Sequence, residues 1–63
     1  MNISEEILQT IAKSLQDRGE IGEIPEDMVT AVNSFLRNND CPKIETTRDL
    51  ECLVIAASEE WYS

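Results

Sequence analysis

The chain has no histidine, and it has only two cysteines, two glycines, two prolines and three aromatic residues. Without an imidazole it lacks the side chain best suited to moving protons near neutral pH. Neither Cys41 nor Cys52 has a histidine to activate it as a nucleophile, and their spacing is not that of a zinc site. A disulfide between them is open on count alone, but nothing else points to an oxidising compartment. The opening segment, MNISEEILQT, has neither the basic start nor the apolar run of a signal peptide. The longest apolar run, Cys52 to Ala57, falls far short of the ~20 residues a spanning helix needs. The expectation is a soluble, cytoplasmic protein with no membrane partner.

Cations are also scarce. Five Lys and Arg stand against 13 Asp and Glu, a net charge of −8. Binding to a phosphate backbone needs clustered basic residues, so direct nucleic-acid binding and attachment to anionic membranes are both disfavoured. The partners such a surface suits are basic or neutral proteins. At 63 residues the chain is one small domain (1–63), and a domain this size buries only about 60% of its unfolded surface. A hydrophobic share of 41% is enough to fold, and too high for a disordered tail.

What is present is helical periodicity. Ile3, Ile7, Leu8, Ile11, Ala12 and Leu15 recur at steps of three and four, which predicts an amphipathic helix over about 4–18. Asn2 or Ser4 can cap it, Glu5 and Glu6 suit its positive end, and Gly19 stops it. A second helix is predicted over 25–37, with Pro25 in its first turn and an apolar stripe of Met28, Val29, Val32, Phe35 and Leu36. Asn38, Asn39 and Asp40 end it, followed by Pro42. The third segment, 46–62, begins with Thr46 and Asp49 spaced as a capping box and continues through Leu50, Leu53, Val54, Ala57 and Trp61, with Cys52 and Ile55 widening the face. Its LVIAA core would also suit a buried strand; length and the flanking SEEW favour a helix. The fold class expected is all-α, with three short amphipathic helices.

Both glycines fall in one stretch, RGEIGEIPED, residues 18–27. A P-loop would need Lys and Ser or Thr after its last glycine, but Glu23 follows Gly22. The ligand order of a calcium hand is absent too. Glu20, Glu23, Glu26 and Asp27 could gather a divalent ion weakly, but a solvated acidic corner between helices is the simpler reading. Ile21 and Ile24 are expected to fold back as plugs on the core. No metal or cofactor is expected, and no catalytic residue. Carboxylates are plentiful, but a thin helical core has no deep cleft in which to raise a pKa or exclude water. Cys52 reads as a small core residue and Cys41 as a loop thiol.

The C-terminal SEEWYS offers the clearest candidate contact surface. Trp61 falls on the inner stripe, and Tyr62, about 100° further round the helix, is expected to be half exposed. The simpler reading is that Trp61 packs inside; beside Glu59 and Glu60 the two aromatics also suit interface anchors. Three short helices also leave apolar surplus, notably Val29 and Ile55, which a two-fold homodimer would cover; monomer and homodimer both remain open.

The whole chain, from MNISEEILQTIAKSLQD to EEWYS, resembles the small acidic proteins encoded in the exo–xis early region of lambdoid bacteriophages, in particular its 63-codon open reading frame. The resemblance implies an early regulatory protein that acts by binding. Such proteins influence the lysis–lysogeny balance and alter host cell-cycle or replication behaviour. It carries no catalytic or cofactor residue onto this sequence. The function expected is therefore non-enzymatic binding of a host or phage protein, through Glu20, Glu23, Glu26, Asp27, Glu59, Glu60, Trp61 and Tyr62. The alternative is an acidic DNA mimic that occupies the site of a DNA-binding protein. A helix-turn-helix is disfavoured, because the third helix offers Arg48 among Asp49, Glu51, Glu59 and Glu60.

Overall fold

A computed structural model describes residues 4–40 and 43–63. Three helices follow in order: α1 (Glu5–Asp17), α2 (Met28–Asn38) and α3 (Thr47–Trp61), with no strand among the described residues. The expected all-α architecture is present, and LVIAA lies within α3. The cap proposed at Asn2, the stripe position of Ile3, the break at Pro42, and Cys41 with its pairing to Cys52 lie outside the described residues.

Each helix is bounded by chemistry local to it. Ser4 caps α1 by accepting the Ile7 N–H at 3.2 Å. At the other end, the Gly19 N–H bonds to the Gln16 carbonyl at 3.0 Å and the Glu20 N–H to that of Leu15 at 2.9 Å. Gly19 has φ of +78°, and this left-handed residue with its paired bonds is a Schellman stop. At α3 the Thr46 side chain accepts the Asp49 N–H at 3.1 Å while Asp49 accepts the Thr46 N–H at 3.0 Å. The capping box is complete.

α2 starts three residues later than predicted. Pro25 is not in its first turn but buried in the preceding connection. The later start follows from where the free N–H groups of α2 find acceptors. The Glu5 carboxylate, from α1, takes those of Met28 at 2.9 Å and Val29 at 3.0 Å. Asp27 takes that of Thr30 at 3.0 Å, and Ala31 begins the helical ladder on the Asp27 carbonyl. One turn along α1, the Gln9 amide donates to the carbonyls of Pro25 and Glu26 at 3.2 and 3.3 Å. One face of α1 thus clamps the start of α2.

The core is a single cluster: Leu8, Ala12 and Leu15 from α1, Met28, Ala31 and Val32 from α2, Leu53, Val54 and Ala57 from α3, with Ile21 from the connection. Ile21 is buried and Ile24 packs against the cluster, as expected of plugs. Val29 and Ile55, expected as surplus, also pack against it. Three expected stripe members do not. Ile7 is 52% and Trp61 42% exposed, and Cys52 is exposed. Ile7 and Cys52 sit at the margins of their stripes, one residue step from Leu8 and Leu53. Trp61 continues the stripe of α3 past its last buried residue, Ser58, and it is not among the residues packed on the core. No helix of the described residues is long and apolar enough to cross a membrane.

Candidate functional site

The 20–23 turn lies against the last turns of α3, and the space between them is a pocket of about 450 Å³. Its wall on one side is Glu20, Ile21, Gly22 and Glu23; on the other it is Ser58, Glu59 and Tyr62. Three contacts set this geometry. The Schellman stop at Gly19 turns the chain back on α1. The Gln16 amide then donates to the Gly22 carbonyl at 2.8 Å. The Tyr62 hydroxyl donates to the Ile24 carbonyl at 3.2 Å and ties the end of α3 to the turn. Tyr62 remains 51% exposed, the half-exposed position expected of it.

The carboxylates around the pocket are not equivalent. Glu20 belongs to a ring of alternating charge that joins the end of α1, the turn and the first turns of α3. Arg18 meets Glu20 at 3.4 Å and Glu51 at 2.6 Å, and Arg48 meets Glu20 at 2.9 Å and Glu51 at 3.1 Å. The hydrogen bond from Arg48, with the charges of both arginines, holds the Glu20 carboxyl below the usual carboxylate range. Hydrogen bonds from Arg48 and then Arg18 lower that of Glu51, and the two carboxylates raise Arg48. In contrast, Glu23 and Glu59 make no ion pair among the described residues.

The other candidates are placed elsewhere. The Asp27 carboxylate is taken up by Thr30, whose hydroxyl donates to it at 2.6 Å. That bond, with the Thr30 N–H, lowers its pKa. Glu60 accepts from Asn38 at 3.2 Å and Asn39 at 3.0 Å, which fixes the end of α2 against the end of α3. Glu26 and Trp61 are exposed outside the pocket. The structure therefore gathers Glu20, Glu23, Glu59 and Tyr62 into one place, and of these three carboxylates only those of Glu23 and Glu59 are uncommitted. Comparison with family models, with curated proteins and with solved structures finds no match for this chain.

Ser58 was not among the candidates, although its spacing four residues after Val54 places it on the inner face of α3. It is 4% exposed, and its Oγ has no hydrogen-bond partner among the described residues. A second pocket of about 210 Å³ lies between α3, Phe35 and the Lys43–Ile44 segment, with the exposed Cys52 on its wall. No group of three or more His, Cys, Asp or Glu among the described residues could hold a metal ion. The chemistry the first pocket offers is that of acceptors: two carboxylates beside a tyrosine, over an apolar wall at Ile21, with the unpartnered Ser58 hydroxyl buried behind them.

Proposed function

We propose that this chain is a non-enzymatic binding regulator, of the kind implied by its resemblance to early-region proteins of lambdoid phages. It docks on a host or phage protein that presents a basic surface. By occupying that surface it modulates phage development or the host's cell cycle and replication. The observation that carries this reading is the pairing of Glu23 with Glu59 at one pocket, uncommitted, beside the half-exposed Tyr62. Internal arginines consume Glu20 and Glu51, which leaves Glu23 and Glu59 as uncommitted carboxylates where an apolar and aromatic surface is also available. Charge of this kind steers a basic partner and speeds its approach, while the apolar centre supplies affinity.

The reading is tested by affinity capture with the full chain from host lysate at low and high salt, followed by binding of the purified captured protein. A partner of basic surface, bound more weakly as salt rises and weakened again in W61A/Y62A, is the expected result. Failure to capture any protein at low salt, or binding indifferent to salt, contradicts it. Displacement of the partner by duplex DNA would favour the mimic instead, with the carboxylates standing in for phosphates.

A further inference from the structure

We propose that the pocket between the 20–23 turn and the end of α3 receives a single arginine side chain of the partner, an inference that rests on the basic-partner reading above. Its guanidinium is held by Glu23 and Glu59, and its stem lies along Ile21 and the ring of Tyr62. The pocket wall offers acceptors and no uncommitted cation, so the occupant is cationic. Ser58 supplies the independent observation. A hydroxyl that is 4% exposed and without a partner costs stability in the free protein. Its residue lines the acidic pocket while the oxygen itself is buried, so a rotation about its Cα–Cβ bond, which breaks no existing hydrogen bond, would bring it to accept from an incoming N–H group.

The chemistry favours arginine over other cations. A metal ion would need several ligating groups, and no such cluster occurs among the described residues. A tyrosine ring and two carboxylates suit a flat guanidinium, which stacks on aromatic faces and donates several bonds in fixed directions. A lysine ammonium is a compact, strongly hydrated point charge and gains less from the ring. The Tyr62 hydroxyl is already committed to Ile24, which holds the ring in place for stacking.

The test uses the isotope-labelled full chain, titrated with the blocked peptide Ac-Gly-Gly-Arg-Gly-Gly-NH2 and with its citrulline counterpart, followed by amide NMR. Saturable shifts centred on residues 20–23 and 58–62, absent with citrulline, are expected. E23Q and E59Q should each weaken binding about fivefold, the upper range for one exposed ion pair. S58A should weaken it without lowering the thermal midpoint, which separates a contact with the ligand from a role in folding. Equal shifts with citrulline, shifts spread over Glu6, Asp17 and Glu45, or affinity unchanged in E23Q and E59Q would overturn the proposal. If the peptide fails these criteria while a captured basic protein still binds in a salt-sensitive way, the arginine pocket is wrong and the functional reading stands. If the peptide binds as expected but no basic partner exists, the pocket stands and the functional reading falls.

Discussion

The carboxylate of Glu5 accepts the backbone N–H of Met28 at 2.9 Å, across 23 residues of sequence. Its second oxygen accepts the N–H of Val29 at 3.0 Å. A residue in the first turn of α1 thus completes the cap that Asp27 begins on α2, and it places a carboxylate at the positive end of that helix. The bond also explains how so short a chain fixes the relation of two helices separated by an irregular connection.

Removal of this cap should be felt at once. E5A is expected to destabilise the protein by about 1–2 kcal/mol, since it leaves two N–H groups without their partner. E5Q retains one acceptor and should lose roughly half as much. Thermal unfolding followed by circular dichroism measures both, at about 4–8 °C per kcal/mol for a domain of this size. An E5A midpoint equal to that of wild type would contradict the cap.

The two glycines should respond in opposite directions. Gly19 has φ of +78°, and a side chain there is strained by about 1 kcal/mol or more. Gly22 has no left-handed backbone, and an added Cβ would meet nothing within 4 Å. G22A is therefore expected to be neutral or to stabilise by about 0.5 kcal/mol, through the lower entropy of the unfolded chain. Parallel melting curves of G19A and G22A give the comparison.

Ser58 is expected to stabilise when it is truncated. S58A removes a buried hydroxyl that has no partner, a group whose desolvation costs about 1–3 kcal/mol. The loss of its packing is small, so the free protein should gain about 1 kcal/mol. A midpoint well below that of wild type would show that Ser58 makes a bond essential to the fold.

The charge ring should give a definite pH signature. Glu20 and Glu51 have folded pKa values lowered by Arg48 and Arg18. In the unfolded chain they protonate near the usual value of about 4. Their contribution is therefore fully present above that pH and is lost as pH falls through the lower folded values. Relief of repulsion in so acidic a chain acts in the opposite sense, so the comparison should be with R48M, where the ring is broken. The difference in midpoint between wild type and R48M is expected to be largest near pH 7 and to shrink below about pH 4. A difference independent of pH would contradict the ring.

Much of this fold was legible in the sequence because its signals are local. Ser4, Gly19 and the Thr46–Asp49 pair act on neighbours within five residues, and the stripes of three-and-four spacing report buried faces directly. The misplaced features are those that depend on a distant partner or on the finite size of the molecule. Pro25 has a ring-fixed φ that suits a first turn, but acceptors from Glu5 and Asp27 set the start of α2 at Met28. Trp61 and Ile7 obey the helical period, and exposure comes from the lack of a neighbour to cover them. The candidate site was half legible. The acidic turn and the aromatic C-terminus were both visible, but not that they meet. Nor was it visible that Arg48 and Arg18 would consume Glu20 and leave Glu23 and Glu59 uncommitted.

The central claim is that Glu23 and Glu59, rather than the acidic surface as a whole, receive the basic partner. Its most direct test is the affinity of the captured partner for E23Q/E59Q, set against E6Q/D17N, which loses the same charge away from the pocket, at near-physiological salt. The account predicts a loss of about tenfold or more for E23Q/E59Q and a change within about twofold for E6Q/D17N, because screening limits distant charges. Equal losses in the two variants, or none in either, would contradict it.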